Sequence, residues 1–332
     1  MREIRLDTVS QWLAARGYAA PDLHLEELGG GVSNVVILAS CGQFRLVVKQ
    51  SLGKLRVAEE WCSDRDRIFR EAEAMRQLSP RLTAGRVPRI LFADAADFAI
   101  AMEAAPPNAE MWKTLLFRGE LNRSHAHSAG TMLGETIAAT WNDENARRIF
   151  GDRTVFDQLR IDPYYRFTAR RHPDRADYFH ALVARSEGRA VSLVHGDWSP
   201  KNLLVASKTA TATSGADLWA IDWEVVHFGD PSFDAAFLLN HLVLKSIALP
   251  QWRAGFAMLA QTFFKALREN LPPEAGWIEQ AALEHFPALL LARVDGKSPA
   301  EYLDGAARER ARLIARDMML HPPTTVEEVF DK

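Results

Sequence analysis

Apolar residues fall into two regimes along this chain. Over the first hundred positions they come in short β-branched or aromatic runs separated by glycine, the pattern of strands and turns. Residues 23–28 form one run, Val35-Val36-Ile37-Leu38 a second, and residues 44–49 a third. Cys41-Gly42-Gln43 separates the second from the third, which predicts a hairpin. Residues 87–92 and 98–102 read as two more strands. Two helices interrupt them. One is a short amphipathic segment within the first 18 residues; the other covers 65–78, where Ile68, Ala72, Met75 and Leu78 recur near a 3.6-residue period.

Pro106 and Pro107 then break the pattern and mark a linker, dividing the chain into 1–104 and 105–332. Beyond them the apolar spacing is helical near 124–143, 174–187, 232–247, 251–269, 276–293 and 299–317. The exception is 191–223, where short runs over 203–205 and 218–221 flank the polar stretch SKTATATSGAD, read as an exposed hairpin turn. The class is therefore α+β: a small antiparallel sheet followed by a larger, mainly helical part.

Composition narrows the function by exclusion. Apolar residues make up 48% of the chain and charged ones 25%, the balance of an ordinary globular protein. A net charge of -3 gives the whole molecule no basic field for nucleic acid or anionic lipid, so neither is an expected partner. Cys41 and Cys62 are too few for a disulfide framework and read as reduced thiols. The N-terminus lacks an apolar leader core, and no run approaches the ~18 apolar residues of a membrane span. A cytoplasmic protein is expected.

The chemistry concentrates in Val194-His195-Gly196-Asp197-Trp198-Ser199-Pro200-Lys201-Asn202-Leu203. An aspartate five residues before an asparagine has the spacing of a kinase catalytic loop. The aspartate reaches an acceptor hydroxyl, while the asparagine, across a tight loop, reaches a metal on the phosphates. Twenty residues on, Trp219-Ala220-Ile221-Asp222-Trp223-Glu224 ends a short apolar strand in an acid placed to meet the same metal. Asn202, Asp222 and Glu224 are hard oxygen donors of the kind Mg²⁺ takes. In the first part of the chain, Gly30, Gly31, Ser33 and Asn34 lie between two strands, where glycine lets backbone amides approach phosphates. Lys49 follows on the next strand, and Glu71 or Glu73 on the following helix supplies its ion-pair partner.

Taken together, HGDWSPKN, IDWE, LGGGVSN, the strand lysine and the glutamate helix resemble the aminoglycoside phosphotransferase and choline kinase superfamily. The resemblance runs from about residue 22 to about residue 305. It implies a bilobal protein-kinase-like fold and transfer of phosphate from ATP, with Mg²⁺, to a hydroxyl of a small molecule. It makes Asp197 the catalytic base, Asn202 and Asp222 metal ligands, and Lys49 the contact to the α- and β-phosphates. Glu71 becomes the preferred partner of Lys49, Asp234 a brace for the catalytic loop, and Met102-Glu103-Ala104 the hinge beside adenine. Residues 48–52, residues 112–116 and the Asp222/Glu224 pair are similar to 5-methylthioribose kinase, which points to a methylthioribose-like sugar; aminoglycosides and amino alcohols are the alternative acceptors. Arg293 falls where that family has a substrate-facing arginine pair.

Several residues have plainer readings. His195 is expected to brace the loop, since Asp197 already fills the role of base. Trp198 either stacks on a substrate or shields the loop from water. A protein kinase would need a long activation segment ending in an A-P-E-like motif, whereas here a helix is expected only ten residues after Asp222. A catalytically silent nucleotide-binding scaffold would have lost one of Lys49, Asp197, Asn202 or Asp222, and all four are present.

Overall fold

The computed structural model describes residues 3–29, 33–54, 63–83, 85–206 and 218–331. Gly30, Gly31, Cys62 and the polar stretch 207–217 lie outside the described residues.

Five strands form one antiparallel sheet in the order β1-β2-β3-β5-β4: β1 (His24–Glu27), β2 (Asn34–Ser40), β3 (Arg45–Ser51), β4 (Ile90–Asp94) and β5 (Ala99–Glu103). Period-two alternation assigns the two faces. Val35, Ile37, Leu46 and Val48 pack with Ile4, Val9, Trp12 and Leu13 around helix α1 (Val9–Ala14). The residues between them, Leu38 and Val47, join the main core on the other face, with Ala74, Met75 and Leu78 of helix α2 (Arg67–Leu78). Lys49 follows Val47 by two positions and so points to the α2 face. The predicted hairpin is β2-β3, with Val36 opposite Lys49.

After β5 the chain is mainly helical. A short strand β6 (Glu110–Met111) leads into α3 (Trp112–Phe117), α4 (Arg123–Thr140) and α5 (Glu144–Phe150). The helix expected over 124–143 stops at Thr140, and Asp143 caps α5 by accepting from the amides of Asn145 and Ala146. Residues 154–171 form a continuous helical stretch absent from the expectation: α6 (Thr154–Phe156), a π-helix over Asp157–Arg166, and α7 (Phe167–Arg171). A π-helix of ten residues is rare, and such segments concentrate at functional sites. Then come α8 (Ala176–Glu187), the strands β7 (Ser192–Val194), β8 (Leu203–Val205), β9 (Leu218–Ala220) and β10 (His227–Gly229), and the helices α9 (Ser232–Ala248), α10 (Arg253–Glu269), α11 (Ile278–Asp295) and α12 (Gly305–Leu320). The last helix starts at 305 instead of 299, because Asp304 caps it through the Ala307 amide.

The four short strands fix the site. β7 pairs with β10 and β8 with β9, so the loops 195–202 and 221–226 run side by side. Buried α9 closes the floor beneath them. Among the described residues no single helix is long and apolar enough to cross a membrane.

Candidate active site

Loop 195–202 is held from three sides. The Asp234 carboxylate, in the first turn of α9, accepts from the amides of His195 (2.6 Å) and Gly196 (2.9 Å). His195 donates Nε2–H to Ile221 O at 3.0 Å and accepts the Asp197 amide on Nδ1 at 3.1 Å. Burial pushes this imidazole down to about 4, so it stays neutral and fixed as a two-ended strut. Asn202 donates Nδ2–H back to Asp197 O at 3.0 Å, closing the loop on itself. Gly196 allows the sharp turn: its φ is +78°, and a Cβ there would lie 2.8 Å from Val225 Cγ1 and 3.0 Å from Val225 O.

These contacts aim Asp197 at a buried position, 5% exposed, between two cations. Lys201 Nζ is 2.9 Å from Asp197 Oδ2, and Arg160 Nη2, from the π-helix, is 3.0 Å from the same oxygen. Arg160 also donates Nε–H to Gly196 O at 2.5 Å, so it holds both the carboxylate and the backbone beside it. Burial alone would raise the Asp197 carboxyl; Lys201 and Arg160 overcome it and hold the group below the usual carboxylate range. Neither Arg160 nor its helix was anticipated from sequence.

Across the cleft, Lys49 Nζ lies 2.9 and 2.7 Å from the two oxygens of Glu71 and 2.5 Å from Asp222 Oδ1. The choice between Glu71 and Glu73 is thereby decided: Glu71 is buried and paired with Lys49, whereas Glu73 accepts from Gln77 on the outer face of α2. Burial would strip Lys49 of its proton, but Asp222, Glu71 and Glu224 more than compensate and keep the ammonium charged. Asp222 has a φ of +69°, a left-handed backbone rare outside glycine, and it occurs where the acid turns into the cleft.

Glu71, Asp222 and Glu224 bring one oxygen each within 4.8 Å of one another, but two cations already interleave them. Lys49 bridges the first two. Glu224 accepts from Arg67 Nε (3.0 Å), Ser33 Oγ (2.7 Å) and Asn34 Nδ2 (2.8 Å). Arg67 also donates to the carbonyls of Ser33, Leu52, Ser63 and Asp64. The Glu224 carboxylate, expected among the metal ligands, thus clamps the strand after the glycine run and Arg67 of α2 to the loop after β9. Ser33 and Asn34, expected to face phosphates, serve this clamp.

Trp198 requires correction as a stacking residue. It is fully buried, packed edge-on against His195 and Trp223 behind the loop, and offers no face to a ligand. Glu103 ends β5, with its amide donating to Arg89 O at 2.9 Å. Arg293, on α11, donates Nη1 to Ser298 Oγ (2.8 Å) and to Tyr164 Oη (3.4 Å), which places it beside the π-helix that carries Arg160. Helix α9 begins ten residues after Asp222, leaving no room for a long activation segment.

The sequence matches the model of the phosphotransferase enzyme family, APH, over residues 24–277. The chain belongs to that family and is a small-molecule phosphotransferase with the protein-kinase-like fold. Amicoumacin kinase, solved with AMP-PNP, Ca²⁺ and amicoumacin, superposes with a TM-score of 0.56 at 13% identity, covering 96% of each chain. Spectinomycin phosphotransferase, solved with ADP and spectinomycin, gives 0.54 at 13% identity over 99% of this chain and 98% of its own. Choline kinase from Cryptosporidium parvum gives 0.55 at 10% identity over 99% and 100%. No curated protein matches the sequence.

Proposed function

We propose that this chain transfers the γ-phosphate of ATP to a hydroxyl of a small metabolite, with Asp197 as the base. The observation carrying this reading is the convergence of the Lys49–Glu71–Asp222 network and the Asp197–Asn202 loop on one cleft. The triphosphate would meet Lys49, which exchanges its contact with Asp222 for the α- and β-phosphates, and adenine would rest beside Met102, Glu103 and Ala104 at the end of β5. Residues 1–104 then act as the nucleotide half and 105–332 as the acceptor half.

A divalent cation fits the donors present. Asn202 uses its Nδ2 and Asp222 its Oδ1 in the contacts described, so Asn202 Oδ1 and Asp222 Oδ2 remain as oxygen donors among the described residues. When bound, Mg²⁺ neutralises charge on the phosphates. The chain's own residues do the rest. Asp197 orients the acceptor O–H and takes its proton late, as the acceptor oxygen bonds to the γ-phosphorus. The bond from that phosphorus to the β,γ-bridging oxygen breaks, and ADP departs with the electron pair. Catalysis is mainly positioning and electrostatics.

For the acceptor, a methylthioribose-like sugar is the first candidate, with amino alcohols and aminoglycosides, the substrates of named relatives, as alternatives. The test is ADP release with Mg²⁺-ATP across 5-methylthioribose, other sugars, choline, homoserine and kanamycin, with Asp197→Asn as the blank. One acceptor giving Asp197-dependent turnover is expected. Turnover that persists in Asp197→Asn would remove Asp197 from the chemistry.

A further inference from the structure

Among the described residues four lysines or arginines are nearly or fully buried, and three have a carboxylate partner: Lys49 with Glu71, Arg67 with Glu224, and Arg160 with Asp197. The fourth, Lys245 on α9, is 1% exposed and has no carboxylate within ion-pair distance among the described residues. Its Nζ donates only to His241 O, one turn back on its own helix, at 3.3 Å. The ring centres of Tyr302 and Phe117 lie 5.4 and 5.5 Å from that ammonium. A buried, unpaired ammonium is costly, and folded proteins retain one where something else supplies the counter-charge.

The surroundings add positive charge and open donors. Arg293 reaches in from α11, and its Nε is buried with no partner. The Tyr302 hydroxyl is likewise buried and unpartnered. Burial pushes Lys245 down to about 7, and Lys113 and Arg293 push in the same direction with no acid opposing them. His241 is lowered by burial and then by Lys245, Arg293, Lys201 and Lys113.

This cationic cluster is continuous with the catalytic loop. Phe237, His241 and Lys245 stand four residues apart on one stripe of α9, with the first two rings 5.1 Å apart. Arg160 lies over both Phe237 (5.6 Å) and Tyr164 (5.7 Å), and Tyr164 meets Arg293 at 3.4 Å. Arg160 in turn touches Asp197. An acceptor whose hydroxyl is at Asp197 therefore has this positive cluster beyond it, one chain of contacts away.

We propose that the acceptor carries an anionic group, a carboxylate or a phosphate, which seats between Lys245 and Arg293 with Lys113 at the rim. This deepens the reading above and rests on Asp197 being the base. It selects sugar acids, hydroxy acids or sugar phosphates over the neutral methylthioribose-like sugar named above, and it disfavours polycationic aminoglycosides and choline, which would meet like charge.

The experiment uses acceptor pairs differing in the anionic group: glycerol and D-glycerate, D-glucose and D-gluconate, D-ribose and D-ribose 5-phosphate, with choline and kanamycin alongside. ADP release is followed for wild type and Lys245→Met, and thermal shift is measured for both and for Asp197→Asn. The acidic member of at least one pair is expected to exceed its neutral partner in kcat/KM by roughly tenfold to a hundredfold, the effect of a hydrogen bond to a charged group. Lys245→Met should raise the KM for that acid by a similar factor and leave the KM for ATP within about twofold. The acid should raise the Tm of Asp197→Asn but not that of Lys245→Met, which separates binding from turnover. Without ligand and below pH 7, where Lys245 is charged, Lys245→Met should melt higher than wild type, since it removes an unpaired buried charge. Asp197-dependent turnover of only neutral or cationic acceptors would leave the kinase reading standing and overturn this one. So would the absence of any acid-dependent shift in Asp197→Asn, or a Lys245→Met protein that melts lower than wild type below pH 7. Silence in turnover with the shift intact would count against the kinase reading and support the anion site.

Discussion

Replacing Arg160 with methionine tests the electrostatic setting of Asp197. In wild type two cations share Asp197 Oδ2, Lys201 at 2.9 Å and Arg160 at 3.0 Å. They are not equivalent: the Lys201 side chain is 44% exposed, whereas that of Arg160 is 9% exposed. Losing one partner of a buried pair costs about 3–5 kcal/mol when the other is left alone. Lys201 remains, so the cost here falls to about 2–3 kcal/mol, with part of it from Gly196 O losing the Arg160 Nε–H. Asp197 is held low by Lys201 and Arg160 against burial, so Arg160→Met raises it. A carboxylate with a depressed folded-state pKa contributes stability above its unfolded value and loses it as pH falls through the folded one. In the variant that loss begins at higher pH. The acid limb of kcat/KM, which follows ionised Asp197, moves up with it. The assays are urea unfolding at several pH values and kcat/KM from pH 4 to 8. Arg160→Lys, restoring charge without the planar fork, should recover the acid limb more fully than kcat. An unmoved acid limb together with wild-type turnover in Arg160→Met would refute this account of how Asp197 is set.

Three further outcomes are expected. Gly196→Ala meets a left-handed penalty of roughly 1–2 kcal/mol and the Val225 contacts, so the protein should melt lower and kcat fall by about a hundredfold as Asp197 shifts; unchanged kcat would show that the turn tolerates a Cβ. Glu224→Gln keeps the shape of the clamp but loses its charge to Arg67, so stability should fall by about 1.5–3 kcal/mol with the Mg²⁺ dependence of activity unchanged; a large rise in the Mg²⁺ requirement would return Glu224 to the metal. Lys245 is lowered to about 7, so the folded state binds fewer protons than the unfolded one from pH 7 to 10.5, and wild type should gain a few kcal/mol over that window while Lys245→Met stays flat. Urea midpoints at pH 7 and 9.5 measure it, and parallel slopes would show that Lys245 does not titrate there.

What could be read from sequence was what depends on near neighbours. The β2-β3 hairpin, the place of Lys49 on its second strand and the Asp197–Asn202 loop follow from short β-branched runs, glycine placement and a five-residue spacing. Lys49 and Glu71 are 22 positions apart; a strand followed by a helix narrowed the partner to Glu71 or Glu73, the family resemblance favoured Glu71, and the packing of α2 brings Glu71 to the lysine. Arg160 gave no such signal. Its contact with the loop spans 36 positions and comes from a π-helix, whose wider turn breaks the 3.6-residue pattern and carries Pro163 within it. The Arg67–Glu224 clamp spans 157 positions, and nothing local distinguishes Glu224 as clamp from Glu224 as ligand. Lys245 looks like an ordinary charge near a helix end until α3 and α11 close over it.

These long-range cations divide the work of the site by their counter-charges. Lys49, Arg67 and Arg160 each have a carboxylate of the chain, so they set geometry before any ligand arrives: Lys49 is held in the cleft, the strand after the glycine run is tied down, and the Asp197 carboxylate is aimed. Lys245 has none among the described residues, and under the anion-site proposal what binds supplies its counter-charge. A site that settles its own charges on the nucleotide side and leaves them open on the acceptor side draws its selectivity from the open ones, because only a partner of the right sign relieves their burial. On that argument the acceptor half discriminates by charge first and by shape second, which is opposite in sign to what a cationic antibiotic or choline requires.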